Sequence, residues 1–68
     1  MTNLRTINEQ HKLKGKTIIK INQKNNVTYM GFIKSISDEE LVISTCKEKD
    51  VFPMSFFEDE IKNFSFLD

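Results

Sequence analysis

One histidine and one cysteine, His11 and Cys46, are the side chains here that most readily transfer protons or attack electrophiles near neutral pH. An imidazole base needs a positioned neighbour, and the acid nearest His11 is Glu9, on a different face of any helix. His11 is therefore read as a surface or helix-end histidine. A reactive thiol needs an electropositive setting; beside Cys46, Lys47 is partly offset by Glu48, so Cys46 is read as a half-buried residue at a strand end. The acid clusters Asp38-Glu39-Glu40 and Glu58-Asp59-Glu60 offer oxygen ligands. Calcium loops, however, place such ligands at alternate positions around a glycine, and neither cluster does so. One His and one Cys are also too few for a structural zinc. No set of nucleophile, base and oxyanion donor can be assembled, so the chain is expected to have no catalytic residue, metal or cofactor.

Binding is the chemistry that remains. Phe52, Phe56, Phe57, Phe64 and Phe66 fall close together, interleaved with Glu58, Asp59 and Glu60. A small sheet cannot bury both faces alone, and an apolar remainder at the surface marks a protein interface. These residues are expected to form a Phe-rich, acid-rimmed surface that docks a protein partner or a second copy of the chain. The alternative uses Lys14, Lys16, Lys20 and Lys34 with Tyr29 nearby, a set able to hold single-stranded nucleic acid by charge and stacking. The aromatics serve a core equally well, and a formal net charge of zero is unlike the basic balance of most nucleic-acid binders. The charge is unevenly spread: residues 1–37 carry a net +6 and residues 38–68 a net −6. That asymmetry makes two opposed faces if the halves stay apart, and cancels if the fold intermingles them.

The elements that must position these groups belong to one domain, since 68 residues allow no second. A chain this short buries only about 60% of its unfolded surface, so oligomerisation or a partner would help a marginal core. The single thiol and the polar residues behind Met1 point to a reducing cytosol, with no membrane span. Residues 1–15 read as a helical segment, with Asn3 as N-cap, Leu4, Ile7 and His11 on one stripe, and Gly15 at the stop.

Residues 16–68 read as β-structure. Lys16 to Asn22 is a β-branched strand with Thr17, Ile19 and Ile21 facing the core. Gln23 to Asn26 is a polar turn in which Asn25 and Asn26 tolerate positive φ. Thr28 to Cys46 reads as a long hairpin, bent at Gly31 and turned at Asp38-Glu39, whose first strand changes partner halfway. Lys47 to Asp50 is a charged turn. Val51 to Met54 is a short strand that Pro53 confines to an edge or a bulge. Ser55 to Glu60 suits a helical turn, with Ser55 as cap and Glu58 in the capping-box position. Ile61 to Leu67 closes the chain, with Ile61, Asn63, Ser65 and Leu67 on one face and Lys62, Phe64 and Phe66 on the other. The expected class is all-β, a small five-stranded SH3-like or Sm-like barrel with a short N-terminal helix.

Gly31-Phe32-Ile33-Lys34-Ser35-Ile36, Leu41-Val42-Ile43, Val51-Phe52-Pro53 and Ile61 to Phe64 together resemble two bacterial patterns. One is the Sm-like family, with its bent, glycine-bearing first strand and hydrophobic return. The other is the small SH3-like barrel of YolD-like and WYL-type proteins. The resemblance spans Lys16 to Leu67. An Sm-like membership implies a homo-oligomer that binds RNA. The chain departs from that pattern at Ser37, where an Asp is usual, and at Glu39 and Glu40, where an Asn-bearing step opens the return strand. Three acids also occupy Glu58 to Glu60, where the Sm pattern has basic and small polar RNA contacts, and carboxylates repel phosphates. YolD-like proteins usually carry a longer N-terminal segment than Met1 to Lys14. The expectation is a cytoplasmic, non-enzymatic regulator, adaptor or inhibitor, bacterial or phage-encoded, acting by occupancy. An Sm-like RNA-binding oligomer is the alternative.

Overall fold

The computed structural model describes residues 3–45 and 52–68. Helix α1 (Asn3–Lys14) precedes strands β1 (Ile18–Gln23), β2 (Thr28–Ile36), β3 (Glu40–Ser44) and β4 (Met54–Phe57). A 3-10 turn over Glu58–Glu60 then leads into β5 (Ile61–Phe66). The strands form one antiparallel sheet in the order β4-β3-β2-β1-β5. The mostly β character, the five strands and the short helix are as expected. The sheet, however, is open: among the described residues β4 and β5 are its two edges.

Helix α1 is held by tertiary contacts, because its few apolar residues give it little amphipathicity of its own. Leu4 and Ile7, three residues apart on one face, are buried in the core. Gly15 has φ 66, the left-handed conformation that ends a helix at no Cβ penalty. Asn3, expected as the N-cap, is instead the first helical residue, and its side-chain amide donates to the Ile61 carbonyl at 2.8 Å. That bond ties the helix to β5. The His11 ring donates from Nδ1 to the Lys16 carbonyl, so this histidine does finish the helix end.

Strand β1 alternates as its pattern demands, with Ile19, Ile21 and Gln23 buried. Asn26 adopts φ 68 in the following turn, where the Asn25 side-chain oxygen accepts the Val27 N–H at 3.0 Å. Strand β2 changes partner as expected: Thr28 to Phe32 pair with β1, and Phe32 to Ile36 with β3. Its register slips between Ile33 and Ser35, leaving Lys34 as the extra residue of a bulge. The slip explains why neither face of this strand reads as cleanly apolar. Tyr29, Ile33 and, beyond the bulge, Ile36 all pack on the core.

A second bulge corrects the reading of β5. Ile61 pairs with Gln23 and Asn63 with Asn22, so Lys62 is the residue left over. One inserted residue reverses the alternation. Ile61 therefore joins Phe64 and Phe66 on the core side instead of opposing them.

The segment before β5 is also shifted. Val51 lies outside the described residues, as do Cys46 and the charged turn of Lys47 to Asp50. Phe52 and Pro53 precede the strand, and β4 runs through Ser55, Phe56 and Phe57, where a helical turn was expected. Only Glu58–Glu60 make a helical turn. Phe57 takes the cap position, and the Glu60 carboxylate accepts its N–H at 3.1 Å, so the capping acid is Glu60 rather than Glu58. Burial decides this. Phe56 pairs with Leu41 and stacks at a tilt on Tyr29, ring centroids 5.3 Å apart, which a helical turn starting at Ser55 would forfeit.

The core comprises Leu4, Ile7, Ile19, Ile21, Leu41, Ile43, Phe56 and Ile61. The chain end is pinned beside it. The Asp68 carboxylate accepts the Thr17 N–H at 2.9 Å, the Thr17 hydroxyl at 2.8 Å and the Ile18 N–H at 3.2 Å. These bonds, the Thr17 N–H first, lower its pKa from 3.8 to about 2 by favouring the charged form.

Candidate protein-binding edge

The pairing of β3 with β4 sets Glu40 beside Phe57. Because the two strands run antiparallel, the turn that starts β3 lies next to the turn that ends β4. Ser37 closes the first turn: its N–H donates to the Glu40 carbonyl at 2.9 Å, and its hydroxyl accepts the Glu40 N–H at 3.1 Å. The 3-10 turn and its Glu60–Phe57 bond close the second. Two acid clusters that are separate in sequence therefore converge. Asp38, Glu39, Glu58 and Asp59 line one open groove of about 830 Å³ around Phe57. Lys24 and Lys62 line it as well.

The phenylalanines divide. Phe57 is 52% exposed and Phe52 77% exposed, so both are available to a partner. Phe56 is 2% exposed and belongs to the core, which removes it from the expected surface. Phe64 and Phe66 meet edge to face, centroids 5.9 Å apart, half-buried against the core. They too are largely spent on folding. The reason is the bulge at Lys62, which turns both rings inward along with Ile61. Of the acids expected at the rim, Asp59 and Glu60 are exposed and Glu58 is half-buried.

The lysines and tyrosine of the nucleic-acid alternative do not converge in this way. Lys14 is exposed at the end of α1, and the Lys16 ammonium donates to the Asp68 carbonyl. Lys20 pairs with Met30 and Ser65 on the face of the sheet away from the core. Lys34 sits at the β2 bulge. Tyr29 faces the core against Phe56. Lys20 and Tyr29 thus lie on opposite faces, so these two do not form a stripe of charge and ring on one surface.

Asp38 and Glu39 are groove residues that sequence reasoning weighed as a solvated turn or an acidic surface for a basic partner, without joining them to Phe57. Their signal was available in the hairpin itself: once β3 and β4 are taken as antiparallel neighbours, residues before Glu40 must lie beside residues after Phe57.

The groove is open to water, a setting in which exposed carboxylates interact only weakly with a cation. Among the described residues no group of three or more His, Cys, Asp or Glu is arranged to hold a metal ion. No helix among them is long and apolar enough to cross a membrane. Compared with known proteins, the chain matches no family model, no curated protein and no solved structure.

Proposed function

We propose that this protein is a non-enzymatic binding module that acts by docking a protein partner on the β4 end of its sheet. The observation that carries this reading is Phe57, half exposed in a groove ringed by Asp38, Glu39, Glu58 and Asp59. An exposed aromatic within a charged rim has the anatomy of a small interface: the ring supplies apolar burial and the charge supplies orientation and on-rate. The partner would present a basic surface, and the module would regulate, adapt or inhibit it by occupancy. The fold suited to this task is a small SH3-like or Sm-like barrel, and a helix followed by five antiparallel strands bent at two bulges is compatible with that class. A reducing cytosol suits the lone Cys46.

Affinity capture from lysate, with and without nuclease, tests the reading. The protein, Phe57→Ala and the double variant Glu58→Lys, Asp59→Lys would be compared. A stoichiometric protein that survives nuclease and is lost from both variants is the expected result, with roughly tenfold or greater weakening in each. Capture that ignores both variants would mean the wrong surface. Nucleic acid that co-purifies, with everything lost after nuclease, would instead install the Sm-like RNA-binding oligomer.

A further inference from the structure

We propose that the free edge of β4 takes up an extended, lysine- or arginine-bearing segment of a partner protein as a sixth strand. This rests on the interface reading above and specifies how the partner is held. The two edges of the sheet are not equivalent. On β5 the ladder is interrupted at Lys62, which is both bulged and exposed, and these are devices that block further pairing. On β4 the register with β3 runs unbroken from Glu40↔Phe57 to Ile43↔Met54, and the strand itself carries no charged side chain.

The backbone of β4 is oriented for such an addition. The Phe57 N–H points away from β3, since it donates to the Glu60 carboxylate. The alternation of an antiparallel ladder then turns the N–H and C=O of Ser55 to the same outward side. Glu60 closes the edge at its far end and Ser55 marks its open centre.

Side chains on an added strand would alternate between two environments. On one side lies Phe57 with the groove carboxylates. On the other, Tyr29, Gln23 and Met54 line a small recess of about 230 Å³ beside Phe56. The first environment suits a lysine or arginine whose stem covers the Phe57 ring while its charge reaches the acids. The recess suits a small apolar side chain. Four carboxylates against Lys24 and Lys62 select a basic strand over an acidic one.

The test uses purified protein and a short peptide alternating valine and lysine. The controls are the same peptide with every backbone amide N-methylated, and one with glutamate in place of lysine. Saturable binding of the parent peptide, slowed hydrogen exchange at the Ser55 amide, and at least roughly tenfold weaker binding of both controls would establish the added strand. If the N-methylated peptide binds as well as its parent, strand addition is wrong while the acid-rimmed interface stands. If the glutamate peptide binds equally, charge selection fails. If no peptide binds, strand addition is wrong, and the capture experiment above decides the interface reading separately. A Ser55 amide already protected in free protein that sediments as an oligomer would give the edge to a second copy of the chain and overturn the proposal.

Discussion

Phe56→Ala is expected to cost about 3–5 kcal/mol of stability, while Phe57→Ala, one residue along the same strand, costs under about 1 kcal/mol. The two rings differ in where the alternation of β4 sends them. Phe56 is 2% exposed, pairs with Leu41 and stacks on Tyr29. Removing it deletes a large apolar surface and leaves a cavity that a small sheet cannot collapse to fill. Phe57 is 52% exposed and loses little packing on truncation. A chain of 68 residues has a total stability of only about 3–10 kcal/mol. The first variant is therefore expected to lose about a third to all of its stability, and the second to stay native. Urea denaturation followed by circular dichroism would read both. Equal midpoints for the two variants would sink the division of the phenylalanines made above. The same experiment guards the binding assays, because any loss of capture in Phe56→Ala reports on folding and not on the surface.

Gly31→Ala carries the next largest effect. A Cβ at this position would lie 2.7 Å from the carbonyl oxygen of Ser44 and 3.3 Å from the Ile43 Cδ1. The side-chain atom can move aside; the backbone oxygen is fixed in the β2–β3 ladder, where Phe32 pairs with Ser44. Overpacking against a rigid neighbour costs about 1–3 kcal/mol, which at this size lowers the melting temperature by roughly 4–8 °C for each kcal/mol. Thermal melting against the unaltered protein measures it directly. A variant that melts within about a degree of its parent would return Gly31 to the role of a simple bend.

How far the chain could be read in advance depended on whether a local pattern or a distant partner decided each residue. The α1 boundary was legible because Gly15 stops a helix by its own conformational freedom, and Ile19 and Ile21 were legible because β1 keeps an unbroken period of two. Phe64 and Phe66 were placed on one face correctly, yet Ile61 was assigned to the other. Nothing in Ile61-Lys62-Asn63 announces the bulge, which exists because β1 and β5 must both bury their side chains at the Gln23 end. Ser55 to Glu60 misled for the opposite reason. Its local signal for a helical turn is real, but Leu41 and Tyr29, residues far away in sequence, claim Phe56 for a strand. The candidate site was half visible. Phe57 with Glu58 and Asp59 was named from composition, whereas Asp38 and Glu39 required the antiparallel pairing that brings them across.

The position of β1 between β2 and β5 also sets an order of events in time. Three of the four ladders join strands that follow one another in the chain, and these close short loops. The fourth brings together residues such as Asn22 and Asn63, 41 positions apart, and the amide of Asn3 reaches Ile61 across 58. Closing so long a loop costs more chain entropy than any hairpin, and it is recovered only once Phe64, Phe66 and Ile61 find the core. The meander β1 to β4 is thus expected to condense first, with β5 and the helix docking late. Phe64→Ala would then quicken unfolding while leaving the refolding rate nearly unchanged in stopped-flow kinetics. Until β5 docks, β1 itself is an exposed edge.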